Sequence, residues 1–187
     1  MSDGHLTDFE RGGRITASVV AAILRLDTRS RKWAWRVISG REPYTDNADM
    51  RRGRIHEPDA IAMFEVKSGL LCFPGRFIPH HSLIWLGASP DGVVMDDWEN
   101  IPVECKCPRT LHSEIPPTYF AQIQTQMQCM QAPYGYFASW TKNGFWWTKV
   151  ERDDDWWTSL ALPELTAFYA NYVEPDIEPP RAERRKK

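Results

Sequence analysis

Hydrophobic and polar residues follow two different periods along this chain. Through the first third, apolar residues recur at helical spacing, which predicts helices over residues 14–26, 29–40 and 48–67. Pro58 lies inside the third of these, so the pattern predicts a kink or a fresh helix start near Glu57. From residue 70 the segments are short, rich in β-forming residues and separated by Pro and Gly, which indicates strands.

The predicted strands lie within residues 69–73, 76–81, 83–89, 92–95 and 102–107. Residues 117–132 return to helical spacing, and the aromatic segment that follows predicts a hairpin turning at Lys142-Asn143-Gly144. A last helix is expected over 153–172. This order indicates one α/β or α+β domain over 1–173, followed by a charged, Pro-rich tail over 174–187 that is expected to be disordered at least in part.

Composition narrows the class of protein. Of the 187 residues, 42% are hydrophobic and 26% are charged, as in ordinary soluble globular proteins. No apolar segment approaches the length of a membrane span, and the N-terminus has no signal-peptide pattern, so an intracellular protein is expected. The net charge of −2 means that binding to a polyanion would depend on local basic clusters. The four cysteines show no paired C-x-x-C spacing, which is typical of buried thiols in a reducing cytoplasm.

Candidate chemistry appears in the predicted strand Val103-Glu104-Cys105-Lys106-Cys107-Pro108. Because side chains alternate faces along a strand, Glu104 and Lys106 share one face and the apolar residues share the other. Asp91 stands 13 residues before Glu104, in an acidic turn. Two carboxylates that converge from neighbouring strands suit Mg²⁺, which prefers oxygen ligands, and a nearby lysine can act on water or phosphate. The spacing alone is also compatible with a surface turn and a Glu104–Lys106 ion pair.

Five segments in series resemble the lambda exonuclease or YqaJ-like group of PD-(D/E)XK nucleases. They are RGGRITAS (11–18), RRGRIHEPDAIAMFEVKSG (51–69), ASPDGVV (88–94), VECKCP (103–108) and YFAQIQTQM (119–127). The resemblance covers roughly residues 11–150. It implies a restriction-endonuclease-like α/β core, in which a central mixed sheet is flanked by helices.

The resemblance implies a role for each residue of the candidate site, whose acidic cluster comprises Asp91, Glu104 and Glu57. Asp91 would be the central metal ligand and Glu104 the second carboxylate, with the carbonyl of Cys105 as a backbone ligand. Lys106 would be the catalytic lysine near the attacking water. Glu57 would reach the second of two Mg²⁺ ions from the long helix, and Mn²⁺ would be able to replace Mg²⁺.

A glutamine of the helix over 117–132 is also implied in the site. Gln122 matches the glutamine with which the family orients groups near the metals. Gln126, one turn further along the same face, is the weaker match. A polar helix face is the alternative for both.

The resemblance further implies a pocket for a 5′-phosphate, which maps to Arg11 and Ser18. Where the lambda-type enzyme carries another arginine shortly after its E-x-K-C-P segment, this chain offers Arg109 and His112, either of which can substitute. Basic residues also cluster upstream of the carboxylates, which indicates either a groove for DNA phosphates or a solvated helix face. They lie at positions 11, 14, 25, 29, 31, 32, 36, 51, 52 and 54.

These residues and the resemblance predict an exonuclease that resects double-stranded DNA from a 5′ end and leaves a 3′ single strand for an annealing protein. Hydrolysis would proceed by in-line attack of water, with two Mg²⁺ ions stabilising the attacking and leaving oxygens. A homotrimer in the cytoplasm of a bacterial or phage-infected cell is expected on the same basis. An endonuclease of the same fold, in repair or restriction, and a DNA-binding module without catalysis are the alternatives.

Overall fold

Eight strands form two sheets in the part of the chain that the computed structural model describes, residues 12–42 and 48–180. In chain order they are β1 (Ile15–Thr16), β2 (Cys72–Pro74), β3 (Ile78–Pro79), β4 (Leu86–Ala88), β5 (Gly92–Asp96), β6 (Glu99–Lys106), β7 (Tyr134–Thr141) and β8 (Gly144–Glu151). The larger sheet has the order β2-β5-β6-β7-β8, with β6 and β7 parallel and the other pairs antiparallel. The smaller sheet has the order β1-β4-β3.

Helices surround these sheets. They are α1 (Ala17–Ile23), α2 (Arg31–Ile38), α3 (Ala48–Ser68), α4 (Pro117–Met130) and a closing helix, α5, over residues 154–173. Ser30 caps α2 by accepting a hydrogen bond from the backbone N–H of Trp33 at 3.1 Å. None of the helices in the described part of the chain is long and apolar enough to cross a membrane.

Strand β6 is buried on both faces, because helices cover the sheet from both sides. Residues 101–105 are all buried. On one side, Phe64 of α3 contacts Tyr136 of β7, with ring centroids 5.4 Å apart. On the other side, a Cβ atom at Gly135 would lie 3.1 Å from the Cδ1 atom of Ile123, so glycine allows α4 to approach β7 closely. This central strand carries Glu104 into the protein interior.

Helix α4 belongs to both hydrophobic clusters that the described residues form. Its residues Ile123 and Met127 pack with the large sheet and α3. Ala121 and Cys129, also on α4, pack in a second cluster with α1, α2 and the closing helix. Packing on both sides fixes α4, and with it the glutamines that were predicted near the site.

The start of the chain differs from the predicted helix over 14–26. Ile15 and Thr16 form β1 instead, because they pair in parallel with Leu86 and Gly87 of β4. The helix therefore begins at Ala17. A sheet contact between residues distant in sequence overrides the local helical pattern here.

Two helices with an internal proline, α3 and the closing helix, also show local differences from the prediction. Helix α3 runs without interruption through Pro58 and ends at Ser68, where Gly69 takes a positive φ of 75°. The closing helix has α-helical segments (Asp154–Trp156 and Leu162–Phe168), each followed by a π-helical segment (Trp157–Ala161 and Tyr169–Val173). The first π-helical segment precedes Pro163, which has no N–H to donate to the preceding turn.

The first residues of the predicted tail, directly after the closing helix, contact α2 and the residues that follow it. Asp176 and Glu178 form ion pairs with basic residues on α2 and just after it, and Pro179 is buried. Residues 181–187 lie outside the described part of the chain.

Candidate active site

Asp91 lies in the turn between β4 and β5, beside the end of β6. Its Oδ2 atom accepts a hydrogen bond from the backbone N–H of Cys105 at 2.8 Å. The antiparallel pairing of β5 with β6 sets Gly92 opposite Val103, so the residue before Gly92 and the residue after Val103 lie at the same end of the sheet. Strand pairing therefore brings Asp91 to the segment that carries Glu104.

Glu104 is fully buried, with 0% of its surface exposed, and both of its carboxylate oxygens have partners. The ammonium of Lys106 forms an ion pair with Oε1. The Nε2 atom of Gln126 donates a hydrogen bond to Oε2 at 2.5 Å and also reaches the carbonyl oxygen of Ser89 at 3.5 Å. The Glu104–Lys106 ion pair thus exists, but it lies inside a larger polar cluster and not on an exposed sheet face.

Burial and mutual repulsion raise the pKa of two carboxyl groups in this cluster. Burial, and then repulsion from Glu104, raise the pKa of Asp91 well above its ordinary value, against the attraction of Lys106. The same two causes, in the same order, raise the pKa of Glu57 on α3. Glu57 therefore lies within electrostatic range of the cluster, although it comes from a helix on the edge of the site.

Lys106 is held in its charged form. Burial lowers the pKa of its ammonium, but attraction to Glu104 and Asp91 outweighs burial and raises that pKa above its ordinary value. The Nζ atom also lies 5.2 Å from the ring centroid of Tyr119. In this state Lys106 can donate hydrogen bonds to water or to a phosphate oxygen, and it has no free electron pair with which to act as a base.

The donor set fits a hard divalent cation. Within residues 12–42 and 48–180, no three His, Cys, Asp or Glu side chains already converge as a metal cage, and Glu104 instead contacts Lys106 and Gln126. Even so, Asp91, Glu104 and Glu57 are oxygen donors that repel one another, and a bound cation would relieve that repulsion. The Oε1 atom of Gln126 is buried and has no hydrogen-bond partner among the described residues.

The glutamine that contacts Glu104 is Gln126. Gln122, which the sequence ranked first, is half-buried one turn earlier on α4. Residues four apart share a face of a helix, so sequence spacing could not separate the two. Tyr119, beside Lys106, was not predicted in the site either, and nothing in its sequence context distinguishes it from a packing residue.

Cys105 contributes to the site through its backbone. Its N–H orients Asp91, and its carbonyl is the predicted metal ligand. Its thiol is buried, as are those of Cys107 and Cys129, and Cys72 is half-buried. Burial raises the pKa of Cys107 to about 11, so these thiols act as packing groups, as the sequence indicated.

The residues predicted to bind a 5′-phosphate are only partly described, because Arg11 lies outside the described residues. Ser18, in the first turn of α1, shares a hydrogen bond with the hydroxyl of Thr16 at 3.1 Å. Thr16 lies opposite Gly87 in β4, the strand that leads into the Asp91 turn. Arg109 is 73% exposed and pairs with Asp49 at 3.1 Å.

His112 lies in an aromatic environment. Its ring centroid is 5.6 Å from that of Tyr119 and 6.4 Å from that of Phe137. Its Nε2 atom is buried and has no hydrogen-bond partner in the described part of the chain. Burial lowers the pKa of His112, which keeps the imidazole neutral and makes it a weaker anion ligand than an arginine.

Several residues of the predicted basic groove have acidic partners. The pairs are Arg29–Asp27, Arg31–Glu164, Lys32–Glu178 and Arg36–Glu178. Arg52 on α3 donates to the carbonyl of Cys107 at 3.1 Å, which brings one guanidinium next to the end of β6. The basic residues on α2 are therefore engaged by the protein's own carboxylates. Arg52 also pairs with Asp49, at 3.1 Å, but it lies beside the acidic cluster.

Comparison with known proteins identifies relatives of this fold. The sequence model of the YqaJ-like viral recombinase domain matches residues 9–133. The structure is similar to an alkaline exonuclease, LHK-Exo, from Laribacter hongkongensis, with a TM-score of 0.77 and 29% identity over 93% of this chain and 94% of that chain. LHK-Exo in complex with dAMP gives a TM-score of 0.78 and 28% identity over 94% of each chain. A phage-related exonuclease from Haemophilus somnus 129PT shares the fold, with a TM-score of 0.66 and 12% identity over 87% of this chain and 94% of that one.

A search of curated protein sequences found no match. The family match nevertheless spans more than half of the chain, and it confirms the resemblance inferred from the five sequence segments. The mixed sheet flanked by helices likewise confirms the predicted fold class. This chain belongs to the YqaJ-like viral recombinase domain family and has its PD-(D/E)XK-like fold.

Proposed function

We propose that this protein is a Mg²⁺-dependent exonuclease that degrades double-stranded DNA from a 5′ end and leaves a 3′ single strand for annealing-based recombination. The observation that carries the proposal is the buried cluster of Asp91, Glu104 and Lys106, with Glu57 in electrostatic range. The similarity to LHK-Exo, an alkaline exonuclease, over 93% of this chain supports the same activity.

Mg²⁺ is the proposed cofactor, because every side-chain donor in the cluster is a carboxylate and hard cations prefer oxygen. Asp91, Glu104 and the carbonyl of Cys105 would hold one ion, and Glu57 would contribute to a second. Bound ions would activate a water and neutralise charge on the phosphate. Mn²⁺ would be able to replace Mg²⁺, because it also accepts carboxylate and water ligands.

The chain's own residues would position the reacting groups. The N–H of Cys105 fixes the orientation of Asp91, and Gln126 fixes that of Glu104. Lys106, held as an ammonium, would donate to the attacking water or to a phosphate oxygen as negative charge develops. Burial of Glu104 keeps bulk water from competing for its oxygens.

A pocket for the 5′-phosphate would set the register of cleavage. Ser18 and Arg11 would bind it, with Arg109 as the second arginine. Arg109 and its partner Asp49 are both largely exposed, with 73% and 60% of their side-chain surfaces accessible, so a phosphate can replace Asp49. His112 is the weaker alternative, because burial keeps its ring neutral.

We further propose that residues 1–173 form a single nuclease domain that assembles as a homotrimer in the cytoplasm. Its product, a 3′ single strand, suits a single-strand annealing protein as partner. These proposals rest on family membership.

The test compares linear duplex DNA, labelled at its 5′ or its 3′ ends, with circular duplex DNA. Each DNA is incubated with the protein in Mg²⁺ or in a chelator. We expect nucleotides to be released from linear DNA alone, beginning at the 5′ end and only with Mg²⁺. Asp91→Ala and Glu104→Gln should each lower the rate by at least about 100-fold while DNA binding persists. Lys106→Ala should be similarly inactive but keep its affinity for the metal. Cleavage of circular DNA would instead indicate an endonuclease, and binding without cleavage would indicate a binding module.

A further inference from the structure

A cleft of about 690 Å³ lies between β1, the C-terminal end of α2 and the end of the closing helix. Its polar lining includes the hydroxyl groups of Thr16 and Ser18 and the ion pair between Arg41 and Asp176. A cleft of this volume can hold a nucleotide-sized group. None of the catalytic residues proposed above lines it.

Arg41 and Asp176 meet through two parallel hydrogen bonds. The Nη1 and Nη2 atoms of Arg41 each donate to one carboxylate oxygen of Asp176, and both distances are 2.5 Å. Arginine uses the same two-pronged geometry to bind phosphate. The two side chains are 47% and 56% exposed, and exposed ion pairs contribute little to stability. Asp176 is therefore a partner that another anion can displace.

The position of Arg41 does not depend on Asp176 alone. The guanidinium carbon lies 4.7 Å from the ring centroid of Trp35. Trp35 is itself buried, and its Nε1–H donates to the carbonyl of Tyr172 at 2.9 Å. The backbone N–H of Arg41 also donates to the carbonyl of Arg36 at 2.8 Å. Arg41 is thus oriented in advance toward an anion in the cleft.

Asp176 is held in the cleft wall by its own turn. Its backbone N–H donates to the carbonyl of Val173 at 3.2 Å, and its φ of 57° lies in the left-handed region. Aspartate and asparagine accept this conformation at a lower cost than most residues. Two residues later, Glu178 pairs with Lys32 at 2.7 Å and with Arg36 at 3.0 Å, outside the cleft.

We propose that Arg41 binds a backbone phosphate of the DNA substrate in this cleft. In the DNA-free protein, the carboxylate of Asp176 pairs with the Arg41 guanidinium in place of that phosphate. This inference rests on the proposed nuclease function, because the DNA supplies the phosphate. Ser18, assigned above to the 5′-phosphate pocket, lines the same cleft as Arg41. DNA whose 5′-phosphate is bound at Ser18 can therefore place a second phosphate on Arg41 within the same cleft. The contact with Arg41 would add to the contact with Ser18.

The substitution Asp176→Asn tests this exchange, because asparagine keeps the size and the tolerance for a positive φ but loses the charge. Binding of a 5′-phosphorylated duplex by the full chain is measured with Ca²⁺ in place of Mg²⁺, over a range of salt concentrations. We expect Asp176→Asn to raise the affinity about fivefold, because the internal competitor is gone. Arg41→Ala should lower the affinity and make the slope of log K against log salt shallower by about 1. In the double variant, Arg41→Ala should cancel the affinity gained from Asp176→Asn.

Glu178→Gln is the matched control, since it removes the same charge from the same segment outside the cleft. If Asp176→Asn does not bind DNA more tightly than the wild type, or if Glu178→Gln gains as much affinity, Asp176 does not compete with a DNA phosphate for Arg41 and the inference is overturned. Should Arg41→Ala fail to fold, Arg41→Lys keeps the charge without the two-pronged contact and should still bind more weakly than the wild type. Equal binding by that variant would also overturn the inference. A wild-type protein that binds no DNA at all would instead overturn the proposed function.

Discussion

At the scale of single residues, the site places more carboxyl groups close together than its one ammonium can neutralise. Glu104 is a fully buried carboxylate, and such a group is tolerated only where it is paired and hydrogen-bonded, here by Lys106 and Gln126. Asp91 and Glu57 add two further carboxyl groups, whose pKa values are raised by burial and by repulsion from Glu104. One ammonium cannot balance three carboxylates, so the cluster favours either protons or a bound cation.

This imbalance predicts how the stability of the metal-free protein depends on pH. The pKa values of Asp91 and Glu57 are higher in the folded protein than in the unfolded chain, so their protonated forms favour folding. That contribution is complete below the ordinary carboxyl pKa and is lost as pH rises through the raised values. We expect the melting temperature in chelator to fall as pH rises above the ordinary carboxyl pKa, and Mg²⁺ to reverse most of the loss.

Asp91→Asn provides the control for this pH dependence. It removes one repelling charge and keeps the shape, so its melting temperature in chelator near neutral pH should exceed that of the wild type. It should also respond less to Mg²⁺. A variant that is less stable than the wild type in chelator would show that the charge of Asp91 stabilises the fold.

The two glutamines of α4 should differ in their effect. Gln126→Leu leaves the buried Oε2 atom of Glu104 without its donor, which costs about 1–3 kcal/mol in the free energy of unfolding. The nuclease rate should fall as well, because Glu104 is no longer oriented. Gln122→Leu, at a half-buried position one turn away, should affect both less. Denaturant unfolding and nuclease assays would check this, and a larger loss of rate in Gln122→Leu would restore the residue that the sequence favoured.

At the scale of secondary-structure elements, local patterns predicted most of the fold. Helices α3 and α4 and the final hairpin follow from periodicity and from Gly and Pro signals, which act over a few residues. Strand β1 escaped prediction because it exists only through its pairing with β4, about 70 residues away. The same limit applies to the site. The sequence supplied Asp91, Glu104 and Lys106 through their spacing and the family resemblance, but no local pattern predicts a contact such as Arg41 with Asp176.

Gly53 weakens the helix that carries Glu57. It lies within α3, and a Cβ atom there would meet nothing within 4 Å. Gly53→Ala should therefore stabilise the protein by about 1 kcal/mol through helix propensity alone. Denaturant unfolding would measure this gain. A loss of nuclease activity at unchanged or raised stability would show that DNA passes close to this turn.

The turn between β5 and β6 carries backbone strain. Asp97 and Trp98 both take positive φ values, 46° and 68°, and the side chain of Trp98 is 95% exposed. A two-residue hairpin turn of this kind favours Asn-Gly or Asp-Gly, so Trp98→Gly should stabilise the isolated chain by about 1 kcal/mol. Thermal unfolding of wild type and variant at low concentration would test it. A loss of stability would mean that the indole ring makes a contact that offsets the strain.

At the scale of the whole molecule, exposed apolar side chains gather at one edge of the large sheet. Leu71, Phe73 and Met95 are 65%, 51% and 62% exposed. The register of β2 against β5 pairs Cys72 with Val94 and Phe73 with Val93, so Leu71 lies beside Met95 on the same face. Contiguous exposed apolar surface of this kind marks protein–protein contacts. We call Leu71, Phe73 and Met95 the β2-edge patch.

The β2-edge patch is the surface we expect to be buried in the proposed homotrimer. A closed ring of three needs a head-to-tail interface, in which each copy offers one patch to a different surface of the next. Light scattering at micromolar concentration should therefore give three times the chain mass of 21.7 kDa, and the double variant Phe73→Glu, Met95→Glu should give a single chain mass. Ile84→Glu is the control, because Ile84 is 77% exposed but lies outside the patch, and the trimer should survive it. If the double variant still forms trimers, another surface joins the copies. If the wild type is monomeric, the patch has some other partner, and end resection must proceed without a ring around the DNA.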